Sequence, residues 1–145
     1  MKTSQAPPVR VMRVISRVNV AVYRLTGGRV MGTLNGCPIC LVTMTGARSG
    51  KRITLPLMCT QDGDDVILVA SMGGAPKNPP WYYNLKAHPE IEIQLGSHRR
   101  AMRAAEADDE QRERLWPVAV RAYPPFAEYQ ERTTRRIPIF VCSPA

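Results

Sequence analysis

The chain is 145 residues long, with 44% hydrophobic residues, 22% charged residues and a formal net charge of +8. These values exclude a disordered, collagen-like or simple coiled-coil chain, and the size predicts one domain that buries roughly two-thirds of its unfolded surface without disulfide or metal. No uncharged apolar run reaches membrane-spanning length and no signal-peptide pattern is visible, so a cytoplasmic location is expected.

Residues 9–25 have helical periodicity. Val11, Val14 or Ile15, Val18, Val22 and Leu25 recur on one face, and Arg10, Arg13, Arg17 and Arg24 on another. Seventeen residues span about 25 Å, and four arginines oppose insertion across a bilayer. Two readings stand for this helix: it packs on the rest of the domain, or it lies on an anionic membrane surface. Gly27-Gly28 ends it, which divides the chain into a helical segment, 1–27, and a main domain, 28–145. Leu41 to Thr45 and Ile53 to Cys59 read as a hairpin across the basic turn 45–52. An acidic turn, 61–65, leads to a continuous apolar strand, Val66 to Ala70, expected to be buried on both faces.

A glycine-rich loop, 71–76, comes next. Asn78 as cap and Pro79 as first helical residue predict a helix through His88. Ile91, Ile93 and Leu95 alternate with Glu90, Glu92 and Gln94, a half-exposed strand, and Arg99 to Ala105 is read as another. Asp108 is expected to cap a helix through Arg121. Phe126 to Arg132 forms a short aromatic helix, and Ile137 to Cys142 a last strand with Pro138 at its start or on an edge. The order is α+β rather than alternating βαβ. An antiparallel sheet closed as a small barrel with outer helices is the expected architecture.

Charge is unevenly placed. Residues 1–61 carry +9 and residues 62–145 carry −1, which points to an anionic partner. A nucleic-acid module would interleave aromatics with these cations, yet Tyr23 is the sole aromatic residue of 1–61, so none is expected. Cys37, Cys40, Cys59 and Cys142 lack a second paired motif for zinc and are read as small buried apolar residues in a reducing compartment. Neither His88 nor His98 sits in a nucleophile pattern, and no carboxylate cluster suggests a metal. What remains is an enzyme whose cofactor does the hard chemistry, or a binding protein. The turn with Gly46, Arg48, Ser49, Gly50, Lys51 and Arg52 has the parts to hold phosphate or carboxylate oxygens. It is not a P-loop, because a strand follows where a helix is required. The loop after Val69 would let a flat ligand approach the backbone. Tyr123, Phe126 and Tyr129, at spacings of three, would share a face beside core or pocket.

Thr45-Gly-Ala-Arg-Ser-Gly-Lys-Arg52, Leu55-Pro-Leu57, and the run from Val69 through Trp81-Tyr-Tyr-Asn84 to Lys86 resemble the deazaflavin-dependent nitroreductase family of actinobacteria. Leu115-Trp-Pro117, Ala122-Tyr-Pro124, Tyr129-Gln130 and Arg136-Ile-Pro-Ile139 continue the resemblance in order. It implies a split β-barrel like that of FMN-binding proteins, and coenzyme F420, whose reduced form donates hydride to a quinone, enone or nitroaromatic acceptor. It assigns the cofactor tail to Ala47, Arg48, Ser49, Lys51 and Arg52. The strand Ile53, Thr54, Leu55, Pro56, Leu57 and Met58 would lie along the cofactor. Val69, Ala70, Ser71 and Met72, with Pro80, Trp81, Tyr82, Tyr83 and Asn84, would pack on the deazaflavin and its side chain. Tyr123, Tyr129 and Ser71 are implied as hydrogen-bond donors in the reaction, and Phe126 as a substrate contact. Met72 and Phe126 stand where polar residues occur in the family, which makes the acceptor side more apolar. Two rivals keep the fold: an FMN-dependent oxidoreductase, and an F420-binding protein without turnover. Weak peripheral contact with an anionic membrane is an added expectation, and the oligomeric state, monomer or homodimer, is left open.

Overall fold

Eight strands and four helices follow one another in a computed structural model that describes residues 9–30, 32–34 and 36–145, with side chains from residue 18 onward except 31, 34 and 35. Helix α1 (Val9–Thr26) precedes a two-residue strand β1 (Thr33–Leu34) and the long strand β2 (Cys37–Thr45). Strands β3 (Arg52–Met58), β4 (Thr60–Asp62) and β5 (Asp65–Val69) lead to a 3-10 turn, Met72–Gly74, and helix α2 (Pro80–Ala87). The hairpin β6 (Glu90–Leu95) and β7 (His98–Glu106) comes next. Helices α3 (Asp109–Ala122) and α4 (Pro125–Glu131) and strand β8 (Ile139–Pro144) complete the order.

Every pairing is antiparallel, and the path runs β1-β2-β6-β7-β8-β5-β4, with β3 on the other edge of β2. Only Cys59 separates β3 from β4. One bent strand therefore pairs with β2 along its first half and with β5 along its second, which closes the sheet into a barrel. Between those halves β3 and β5 part, and that is the split in the barrel. Period-two alternation sends Cys40, Val42 and Met44 of β2, Val66 and Leu68 of β5, Ile91 and Ile93 of β6, and Phe140 and Cys142 of β8 into one core. Ile67 and Ile139 point outward from β5 and β8 and pack under Leu115 of α3. Burial on both faces explains the unbroken apolar run of β5.

Several local expectations are corrected. Strand β2 begins at Cys37 rather than Leu41, and β1 and β4 are too short for any periodicity to announce them. The strand expected to end at Cys59 stops at Met58. Asn78 does not cap α2: Pro79 holds that place in an extended conformation, as expected for a residue preceding a proline, and Pro80 is the first helical residue. The cap at Asp108 forms as expected, as a reciprocal box in which its carboxylate accepts from the Gln111 N–H at 2.8 Å. Tyr123 ends α3 and does not belong to the aromatic helix, and Ile137 and Pro138 lie ahead of β8. Gln94, expected on the solvent side of its strand, is buried.

Helix α1 forms one residue beyond its expected end. Its arginines 10, 13 and 17 lie outside the described side chains. The expected apolar face does not seat its C-terminal half, because Val18 and Leu25 are 54% and 87% exposed. Tyr23 does so instead. It is buried, its hydroxyl donates to the Ile39 carbonyl at 2.8 Å, and it accepts from the Gly96 N–H at 2.8 Å.

Candidate active site

Where β3 and β5 part, a cavity of about 410 Å³ opens to solvent, within the usual range of small-molecule sites. Pro56, Leu57 and Met58 form one wall, Val69, Ser71, Met72 and Gly73 a second, and Tyr123, Phe126 and Tyr129 a third, with Trp81 and Pro79 at the start of α2. Ten of the residues singled out in the sequence thus meet in one place. Ile39, Gly73 and Pro79 were missed. Ile39 enters because it lies opposite Met58 in the β2–β3 register, and register across a hairpin was the signal that could have found it.

The aromatic wall is a packed trio. Tyr123 and Phe126 meet edge to face at 4.9 Å, and Tyr129 lies 6.3 Å from each. The two phenol oxygens are 3.4 Å apart. The bond to Tyr123, followed by burial, raises the pKa of Tyr129, so its phenol remains a proton donor. Ser71, also lining the cavity, is buried, and its hydroxyl makes no hydrogen bond among the described residues. The site therefore combines an apolar slot with three hydroxyl groups.

The remaining assigned residues separate into two groups. Ile53, Thr54 and Leu55 continue along β3 away from the cavity. Every residue of β3 after Arg52 is half-buried, and among the described residues this strand pairs only with β2. Its other edge has no strand partner among the described residues, and helix α1 lies beside the strand. At the far end stands the turn of Ala47, Arg48, Ser49, Lys51 and Arg52, all exposed. Gly46 closes it: its N–H donates to Lys51 O at 2.8 Å, and a Cβ there would meet Ser49 Oγ at 2.5 Å. Asn84 of α2 accepts from the Ala47 N–H at 2.9 Å and so fixes the turn to the helix whose first residues border the cavity. The Arg48 and Ser49 N–H groups are left without intramolecular acceptors among the described residues. The ion pairs found among those residues do not involve Arg48, Lys51 or Arg52. Two adjacent free N–H groups beside three cations outside any ion pair among the described residues are the donors that anion binding requires.

The other group faces elsewhere. Ala70 lies in the barrel core and Pro80 on the surface. Tyr82 packs on Phe140, and its hydroxyl donates to both oxygens of Glu106 at 3.0 and 3.1 Å, while Lys86 bonds the same carboxylate at 2.9 Å. Burial and then Glu106 raise the Tyr82 pKa. Tyr83 stands half-exposed against Tyr82. None of these four residues borders the cavity.

An apolar slot at one end of β3 and an exposed cationic turn at the other fit a molecule with a flat ring at one end and phosphate and carboxylates at the other, which is the shape and charge of F420. The comparisons with known proteins agree. The family model described as F420H(2)-dependent quinone reductase matches residues 15–144. An F420H(2)-dependent quinone reductase of Mycobacterium tuberculosis (strain H37Rv) is 38% identical over 129 residues, which cover 86% of this chain and 87% of that protein. A solved F420-H2 dependent reductase, FDR-A, superposes with TM-score 0.69 at 47% identity, over 73% of this chain and 94% of its own. A second solved structure, described as a domain-swapped dimer, gives TM-score 0.72 at 38% identity, over 94% of this chain and 100% of its own. The split β-barrel read from the sequence is thus the fold of this chain, and the chain belongs to the F420H(2)-dependent quinone reductase family.

Proposed function

We propose that this protein is an oxidoreductase that reduces a quinone-type acceptor at the cleft between β3 and β5, with reduced F420 as its cofactor. The observation that carries the reading is the placement of the cavity at one end of β3 and of the exposed cationic turn 45–52 at the other. When bound, reduced F420 supplies a hydride to the acceptor. Arg48, Ser49, Lys51 and Arg52 hold the anionic tail by charge and by the free N–H groups of the turn. Pro56, Leu57, Met58, Val69 and Trp81 bury the ring and exclude water, which fixes donor and acceptor face to face.

A quinone oxygen that receives charge needs hydrogen bonds and then a proton. Tyr123, Tyr129 and Ser71, which line the cavity, are the donors assigned to this role. Met72 and Phe126 favour an apolar ring over a polar one. The N-terminal helical segment, residues 1–27, adds contact with an anionic membrane surface where a lipid quinone would be met. No described helix is long and apolar enough to cross a membrane.

The test is incubation of the purified protein with reduced F420 and menadione, following the return of the oxidised deazaflavin absorbance. Turnover is expected. An absence of F420 binding by fluorescence quenching, or a yellow protein with a flavin spectrum as purified, would overturn the cofactor reading.

A further inference from the structure

We propose that Arg135 is a positioning residue for hydride transfer: its guanidinium clamps the Ala70–Asn78 loop and thereby sets the Ser71 wall of the cavity against the Tyr129 wall. A guanidinium has five N–H donors. Here Nε donates to Ala75 O at 3.1 Å, Nη1 to Ala70 O at 3.0 Å and Asn78 Oδ1 at 2.8 Å, and Nη2 to Ser71 O at 2.9 Å and Ala75 O at 3.0 Å. All five donors are spent on one loop, and among the described residues none goes to a carboxylate. An arginine used in this way is a planar brace, not half of an ion pair.

The loop needs a brace. Met72, Gly73 and Gly74 take positive φ in succession, at 47°, 64° and 82°. For Met72 this is a costly conformation that persists only where its surroundings impose it. It also leaves the Met72 side chain half-exposed at the cavity. Gly74 presses on the end of α4, so closely that a Cβ there would lie 2.6 Å from Tyr129 O. The brace is anchored on that same helix through Gln130, whose Nε2 donates to Arg135 O at 2.7 Å, while Arg135 N donates to Thr133 Oγ1, just beyond the helix, at 3.1 Å. Arg135 therefore ties the backbone of Ser71 to Gln130, the residue next to Tyr129. The role rests on the cavity being the hydride-transfer site.

The experiment compares wild type, Arg135→Gln, Arg135→Lys and Asn78→Ala. It measures kcat and KM for menadione with reduced F420, the Kd for F420 by fluorescence quenching, and hydrogen exchange of residues 71–78. Arg135→Gln is expected to lose on the order of 10²-fold in kcat, since a misplacement of about 1 Å in a reacting pair is that costly. Its F420 Kd is expected to hold within about threefold, because the tail receptor is remote. Exchange at 71–78 is expected to rise. Arg135→Lys should not restore kcat, because a point charge cannot replace the fork. Asn78→Ala, which removes one of five bonds, should move kcat in the same direction by less, and it reads the brace even if Arg135 variants fold poorly. Wild-type turnover in Arg135→Gln, or in Arg135→Lys, overturns the clamp alone. A wild type that binds F420 but reduces no quinone overturns the activity reading, and the role in transfer with it.

Discussion

The two phenols and one hydroxyl that face the cavity are the residues on which turnover should depend most. A hydrogen bond to a charged oxygen is worth about 1.5–3 kcal/mol, so Tyr129→Phe or Tyr123→Phe should lower kcat by about 10- to 100-fold with little change in F420 affinity. A change confined to KM would mean that the phenols only bind the acceptor. Donation requires the neutral phenol, and the Tyr129 pKa is raised by Tyr123 and by burial. Activity should therefore persist on the alkaline side and fall only as pH climbs past the ordinary tyrosine value of about 10. A fall near neutral pH would point to another donor. Three of the cysteines, Cys37, Cys40 and Cys142, are shifted away from the thiolate, opposite to active-site thiols, while the hydrogen bond with Cys40 lowers Cys59. All four are buried and unbridged. Burial pushes Cys142 up to about 12, and its hydrogen bond with Cys59, then burial, holds Cys40 well above the usual thiol range. Native protein should thus resist iodoacetamide, with all four thiols labelled only after denaturation; fast labelling of the native state would refute their reading as core residues.

At the scale of elements, the proposed function divides the holding of one long ligand between the turn joining β2 and β3 and the loop after β5. Each exposed cation of the turn is worth about 1 kcal/mol to a bound anion, so Arg48→Ala and Lys51→Ala should each weaken F420 about fivefold, more at low salt. Neither should change affinity for the deazaflavin ring lacking the tail; an equal loss for both ligands would place the ring, not the tail, at the turn. Gly74→Ala forces both a clash with Tyr129 and a positive φ on alanine, and it should cost about 2 kcal/mol or more of stability in chemical denaturation. These two loops were legible in the sequence because glycine and charge mark them locally. The β2–β3 and β6–β7 hairpins were legible too, since alternation declares them. The bend at Cys59 was not: a strand that changes partners leaves the same apolar pattern as one that ends. Tyr82, which the resemblance assigned to the cofactor, does not border the cavity for a related reason. It neighbours Trp81 in sequence, but successive positions of a helix face different ways, and a carboxylate on β7 takes its hydroxyl.

For the whole molecule the last element to place is α1. Tyr23 fastens its last turns to the barrel through Ile39 and Gly96, and the helix lies beside β3. Val18 and Leu25, seven residues apart and so on one side of the helix, remain exposed, and Val30 beyond them is 50% exposed. A barrel-packing role would have covered these side chains; an interfacial helix presents them. With no Trp or Phe among residues 1–27 to anchor in the headgroups, electrostatics must supply most of the attraction. On the membrane-contact proposal, Lys2, Arg10, Arg13, Arg17 and Arg24 would contribute about 1 kcal/mol each near an anionic leaflet, so binding would be weak, reversible and salt-sensitive. The protein is therefore expected to sediment with phosphatidylglycerol vesicles at low salt, to stay in solution with phosphatidylcholine, and to release as salt rises. Deleting residues 1–17 leaves Tyr23 in place, so it should abolish sedimentation while preserving thermal stability and reduction of water-soluble menadione. Removing the anchor is a different experiment: Tyr23→Phe strips one hydroxyl from two buried backbone partners and should lower stability by about 1–3 kcal/mol with vesicle binding retained in the folded fraction. Should the 1–17 deletion lose menadione reduction, or bind vesicles as well as the full chain, the helix belongs to the enzyme's own structure and the membrane role is wrong.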